Sequence, residues 1–123
     1  MYKLTVKSQF SAAHFLRNYE GSCENLHGHN WIVTLTVEGK KLNSADLLID
    51  FKELKKILKQ ILEELDHRLI NDHPDFIEVN PSSERLAEFI FKKAKEKLKP
   101  YKGIKVKEVS VYETETSCAT YYE

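Results

Sequence analysis

The chain has 123 residues, 31% of them charged, and its 19 Lys plus Arg balance 19 Asp plus Glu to give a formal net charge of zero. That length supports a single domain over residues 1–123 with a moderate core, and the charge balance argues against a general nucleic-acid binder, which carries a basic excess. Two cysteines, Cys23 and Cys118, are too few for a disulfide framework. With no apolar leader at the N-terminus and no apolar run near the ~20 residues of a membrane span, the expected setting is the reducing cytoplasm.

The chain begins with an alternation: Tyr2, Leu4 and Val6 on one side, Lys3, Thr5 and Lys7 on the other. This predicts a half-buried strand over 2–15, which passes through Phe10 and the small Ser11-Ala12-Ala13 to His14. Residues 16–26 hold the turn formers Asn18, Gly21, Ser22 and Asn25 and read as a loop that carries Cys23.

The next stretch is the densest in chemistry: Cys23-Glu24-Asn25-Leu26-His27-Gly28-His29, followed by the strand-like run Trp31-Ile32-Val33-Thr34-Leu35-Thr36-Val37. Residues i and i+2 of a strand point to the same side. His27 and His29 would therefore aim two imidazoles at one point, and Gly28 between them admits a close neighbour. If the two strands pair, His14 completes a three-histidine set. Three neutral imidazoles suit Zn2+ and leave a fourth tetrahedral position for water or substrate. Cys23 is near enough to be a fourth ligand or a base. Each histidine alone would more often be a surface or core residue; the His-x-His pair with a cysteine four residues before it is the feature that points to metal.

Residues 39–44 read as a polar connection, and Leu47-Leu48-Ile49 as a short strand-like run. Asp50 suits a helix N-cap, with Glu53 three residues on as in a capping box. The helix behind it carries Phe51, Leu54, Ile57, Leu58, Ile61, Leu62 and Leu65 at spacings of three and four, a core-facing stripe. It ends near Asp66-His67, a pair that can do acid–base work or simply sit at the surface. Asn71-Asp72-His73-Pro74 breaks regular structure, and His73 reads as having no role in chemistry.

A second helix starts at Asn80-Pro81-Ser82-Ser83-Glu84, capped by Ser82 or Ser83, and stops at Pro100 and Gly103. Residues 104–113 alternate again, imperfectly, because Val109-Ser110-Val111-Tyr112 is apolar on both phases. Glu113 ends that strand and by itself reads as an exposed charge. Thr114-Glu115-Thr116-Ser117 is a hairpin turn, and 118–122 a last strand. The β-β-α-α-β-β order predicts an α+β domain, a four-stranded antiparallel sheet with two helices on one face. Its two long open edges predict closure into a ring of identical subunits, with sites between them.

These motifs together carry a resemblance. Phe10-Ser11-Ala12-Ala13-His14, the Cys23 to His29 stretch, Ile49-Asp50-Phe51, Leu65-Asp66-His67, Asn80-Pro81-Ser82-Ser83-Glu84 and Val111-Tyr112-Glu113-Thr114 stand in the order seen in the 6-pyruvoyl-tetrahydropterin synthase and 6-carboxytetrahydropterin synthase family. The Cys-x3-His-Gly-His spacing resembles the carboxy-forming branch. The resemblance implies the tunnelling fold (T-fold) and trimers stacked into a hexamer. It implies zinc held by His14, His27 and His29, Cys23 as the catalytic proton acceptor, and Asp66 with His67 as a relay lent by a neighbouring subunit. Glu113 would anchor the pterin ring. The implied reaction converts 7,8-dihydroneopterin triphosphate to 6-carboxy-5,6,7,8-tetrahydropterin, releasing triphosphate and acetaldehyde, on the way to queuosine and other 7-deazapurines. Neither a nucleic acid nor a membrane is an expected partner.

Two departures from the family pattern stand out. Phe15 and Leu16 follow His14 where relatives often have Arg. Glu24 directly after Cys23 resembles a Glu type that cleaves the dihydroneopterin side chain to 6-hydroxymethyl-7,8-dihydropterin for folate, so Glu24 is a candidate for substrate contact or a second lyase activity. As a loop carboxylate it equally suits plain solvation. The pyruvoyl-forming synthase remains an alternative enzyme, and a pterin-binding module with structural zinc is the alternative outside enzymes. A pure binder needs neither the Cys23 base nor the Asp66-His67 relay.

Overall fold

A computed structural model describes residues 1–22 and 24–123. Strands β1 (Tyr2–His14), β2 (His27–Gly39), β3 (Lys105–Thr114) and β4 (Ser117–Tyr122) form one antiparallel sheet in the order β1-β2-β3-β4. Helices α1 (Phe51–Leu62) and α2 (Ser83–Lys97) lie between β2 and β3 in the chain. The element order is the one the sequence predicts.

The core follows from the strand alternation. β2 is an inner strand, and its Trp31, Val33, Leu35 and Val37 are fully buried. They meet Val6, Phe10 and Ala12 from β1, Val109 and Val111 from β3, and the helix stripes Leu54, Leu58, Ile61, Leu86 and Ile90. At about 1.5–3 kcal/mol for each large apolar side chain taken from water, this face supplies most of the drive to fold.

The impure alternation of β3 has a mechanical cause. Thr36 pairs with Glu108 and Val37 with Val106, so Lys107 is an extra residue in the ladder. That β-bulge shifts the phase and lets Val106 face the core together with Val109 and Val111. A second irregularity lies at the other end of β3. Tyr112 pairs with Cys118 and Thr114 with Ser117, which leaves Glu113 with no partner in β4.

Four local expectations are corrected. Leu47-Leu48-Ile49 is no strand; it runs through a turn and bends, with Leu48 and Ile49 buried against the core. Asp50 does cap α1 by accepting the Lys52 N–H at 2.8 Å. Glu53, however, turns away from the cap and accepts the Tyr101 hydroxyl at 2.6 Å. Phe51, the first helical residue, is 54% exposed, since the inward stripe begins only at Leu54. α1 ends at Leu62, but the turns behind it still carry Leu65 into the core. Ser82 rather than Ser83 caps α2, accepting the Arg85 N–H.

The outer edge of β1 is covered at one end. The Ser11 N–H donates to the Asp66 carboxylate at 2.9 Å, the His67 N–H to the Ser11 carbonyl at 2.6 Å, and the Ala13 N–H to the Arg68 carbonyl at 3.0 Å. The segment after α1 is thereby tied to β1 beside His14.

Candidate metal centre and active site

The first two strands pair so that His14, the last residue of β1, stands opposite His27, the first of β2, while His29 stands opposite Ala12. Pairing register thus brings the three imidazoles to one end of the sheet. Glu113 joins them from the unpaired position in β3, as a bulge next to a site re-aims a side chain. One ligand atom from each of His14, His27, His29 and Glu113 lies within 4.8 Å of all the others.

Hydrogen bonds at the back of two rings decide what the front of each offers. His14 donates its Nδ1–H to the Pro81 carbonyl at 2.8 Å, and His27 donates its Nδ1–H to the Asn25 carbonyl at 2.7 Å. A neutral imidazole protonated at Nδ1 carries its lone pair on Nε2. The Nε2 atoms of His14 and His27 face each other at 3.1 Å. Two lone pairs do not bond to one another; a cation bound by both satisfies them. His29 adds an orphan: its buried Nε2 has no hydrogen-bond partner, although Glu113 Oε1 lies 2.9 Å away. That contact lacks hydrogen-bond geometry. Ligands about 2.0–2.1 Å from a tetrahedral zinc stand roughly 3.3 Å apart, near the 3.1 Å between the Nε2 atoms of His14 and His27, with the whole set inside 4.8 Å. The donor set therefore fits zinc.

The pocket wall keeps the site poised for metal. His14 is buried, and burial lowers its pKa, reinforced by His27 and His29 and opposed by the Pro81 hydrogen bond and Glu113. A lowered pKa keeps the ring neutral and able to ligate. Trp31 packs edge-on against His14 and His29, with ring centroids at 4.8 and 5.1 Å, and anchors its Nε1–H on the Ala12 carbonyl.

The other candidate residues fall in different places. Cys23 lies outside the described residues. Glu24 is engaged locally: its carboxylate accepts the Leu16 N–H at 3.2 Å, and its own N–H donates to the Leu16 carbonyl at 2.8 Å. Its carboxylate is 3.9 Å from His27 Nδ1 and is not one of the four converging groups. Asp66 and His67 do face each other, with Oδ1 and Nδ1 2.9 Å apart, but they too stand outside that group. The His67 side chain is 81% exposed on a left-handed backbone (φ 57°). It borders a cavity of about 520 Å³ with Ser11, Ala13, Gly28 and Asn30. His73 is largely buried; it bonds Glu64 at 3.1 Å and its Nδ1 accepts the Asp75 N–H.

Sequence spacing alone gave no signal that Glu113 belongs with the histidines, because its approach depends on the bulge. Its Oε2 accepts the Ser83 hydroxyl at 3.3 Å, and with Ser83, Glu84, Thr114 and Cys118 it lines a cavity of about 350 Å³. Its side chain is 36% exposed, so one flank remains open to a ligand.

The Asp66 pKa is lowered, first by the Ser11 N–H it accepts; burial opposes this, and the hydrogen bonds and charge of His67 add to the lowering. A carboxylate with a depressed folded value contributes stability that is fully present above its unfolded value and lost as pH falls through the folded one. The Ser11 amide is accordingly expected to stay protected from hydrogen exchange below the ordinary aspartate range and to open only in stronger acid. Opening at the ordinary aspartate value would show that the Ser11 contact does not hold the carboxylate. Asp66→Asn should leave a nearly pH-independent Ser11 amide.

Among the described residues no helix is long and apolar enough to cross a membrane. The profile of the family described as 6-pyruvoyl tetrahydropterin synthase matches residues 3–123. The chain is 36% identical over 95 residues to the 6-carboxy-5,6,7,8-tetrahydropterin synthase of Bacillus subtilis, a match covering 73% of this chain and 63% of that protein. It is 32% identical over 111 residues to the dihydroneopterin monophosphate aldolase of Pyrococcus furiosus, covering 90% and 89%. The solved Caenorhabditis elegans 6-pyruvoyl tetrahydropterin synthase superposes with a TM-score of 0.86 at 24% identity, covering 99% of this chain and 95% of that one, a likeness of fold. With the sheet order, the histidine register and a family match spanning nearly its whole length, the chain belongs to the 6-pyruvoyl tetrahydropterin synthase family.

Proposed function

We propose that the protein is a zinc-dependent lyase that converts 7,8-dihydroneopterin triphosphate and one molecule of water to 6-carboxy-5,6,7,8-tetrahydropterin, acetaldehyde and triphosphate, a step toward queuosine and other 7-deazapurines. The observation that carries the reading is the inward lone-pair face of His14 and His27 beside the orphaned His29 Nε2. Those three residues would hold the zinc. When bound, the metal supplies Lewis acidity to the oxygens of the substrate side chain.

The chain's own residues do the rest. Cys23 would take protons from the hydroxyl-bearing carbons, a task for the thiolate form of a cysteine. Asp66 orients His67 through the 2.9 Å contact of Oδ1 with Nδ1, so the pair can pass a proton on. His67 points to solvent in its own subunit, which suits delivery to the site of a neighbour in a hexamer of two trimers. Glu113 can accept the pterin ring N–H and the adjacent amino group together, and the cavity beside Ser83 gives that edge a place to dock.

Purified zinc-loaded protein given the triphosphate substrate is expected to yield the carboxypterin and acetaldehyde, measured by chromatography with mass detection. Chelation should abolish the reaction and added zinc restore it; turnover that survives metal removal would exclude catalytic zinc. A second reading is cleavage to 6-hydroxymethyl-7,8-dihydropterin, favoured by the likeness to the Pyrococcus aldolase and by Glu24 next to Cys23. The same assay with the monophosphate and the dephosphorylated pterin separates the two. The Glu24 carboxylate is already occupied by the Leu16 N–H, which favours the first.

A further inference from the structure

Beyond His14 the chain leaves the sheet, and Phe15 and Arg17 are held by side chains instead of a strand. Phe15 donates its N–H to Asn71 Oδ1 at 3.0 Å and accepts from Asn71 Nδ2 at 2.9 Å. Leu16 pairs in the same two-way fashion with Glu24. Arg17 donates its N–H to Asn80 Oδ1 at 2.8 Å and accepts from Asn80 Nδ2 at 2.8 Å. Each asparagine thus presents an amide that imitates a strand's own peptide group. The Arg17 guanidinium makes no ion pair among the described residues. It donates to the carbonyls of Phe76 at 3.0 Å and Val79 at 3.2 Å, on the segment that leads into Asn80.

This network closes a ring on the metal site. From His14 the backbone runs to Arg17, crosses the paired hydrogen bonds to Asn80, continues to Pro81, and returns through the Pro81 carbonyl to His14 Nδ1 at 2.8 Å. Proline fixes its own φ, and the residue before it is confined to extended backbone. Few rotations therefore separate the Asn80 amide from the Pro81 carbonyl.

We infer that Asn80 is a positioning residue for the metal site: by clamping Arg17 it places the Pro81 carbonyl that fixes the tautomer and direction of the His14 ring. The inference rests on the zinc reading for its effect on function, but its structural half stands in metal-free protein. An outer hydrogen-bond partner that orients a metal-bound imidazole is typically worth 10–100-fold in metal affinity.

The experiment compares wild type with Asn80→Ala, and with Tyr101→Phe, which removes a hydrogen bond elsewhere in the fold. Nitrogen NMR of the imidazoles in metal-free protein is expected to show His14 as a single Nδ1–H tautomer in wild type and Tyr101→Phe, and as a mixture in Asn80→Ala. Zinc competition against a chelator should show about 10–100-fold weaker binding in Asn80→Ala alone, and the visible spectrum of the cobalt-loaded variant should change. An Asn80→Ala protein with an unaltered tautomer, affinity and cobalt spectrum overturns the inference, whatever its melting temperature. If alanine does not fold, Asn80→Asp keeps the acceptor for the Arg17 N–H and loses the donor, and is read by the same three signals. Wild type that binds no zinc sinks the zinc reading, while the tautomer comparison still decides the role of Asn80.

Discussion

Replacement of Cys23 by alanine is expected to leave zinc bound and to lower carboxypterin formation by about 10²–10⁴-fold, the usual worth of a positioned base. If His14, His27 and His29 hold the zinc as proposed, the thiol is not needed as a ligand, so metal content measured by elemental analysis should match wild type. Rate and metal content together separate the possible roles of the sulfur. Loss of both would make Cys23 a ligand. Retention of the wild-type rate would remove it from the mechanism. Loss of rate alone is the result that marks a base.

Glu113→Ala gives the second large effect, and it tests whether the site is open or closed. As the proposed pterin anchor, Glu113 would make two charge-assisted hydrogen bonds, to the ring N–H and the adjacent amino group, worth about 1.5–3 kcal/mol each. Its removal should therefore lower kcat/KM by roughly 10²- to 10⁴-fold, with zinc affinity unchanged. Yet Glu113 Oε1 lies only 2.9 Å from His29 Nε2, close enough to be a fourth ligand. A fully protein-ligated zinc is the mark of a structural site. If the variant loses zinc in step with activity, the carboxylate caps the metal and the lyase reading fails in favour of a binding module. Its partly exposed side chain and its place on a cavity wall favour the anchor.

Much of this was legible in the residues because strand geometry is periodic. Two histidines two apart on a strand must share a side, and an antiparallel partner of the right length must bring His14 across from them. The stripes of α1 and α2 and the cap Asp50 were equally plain, and Ser82 was one of two candidates for the cap of α2. What escaped depends on the ladder slipping by one residue. Lys107 and Glu113 are both unpaired by β-bulges, and local composition does not announce a bulge. Glu113 therefore read as a surface charge although it leans on the metal set. Leu47-Leu48-Ile49 misled for another reason: a short apolar run can be buried by a turn as well as by a strand. Asn80 read only as the approach to a helix, because nothing in its neighbours betrays a partner 63 positions away.

Trp31 is the sole tryptophan of the chain, and its indole touches both His14 and His29. Whatever binds or protonates those imidazoles alters the electric environment of the one strong ultraviolet emitter in the molecule. The protein thus carries its own optical gauge of occupancy at this centre, readable without label or substrate.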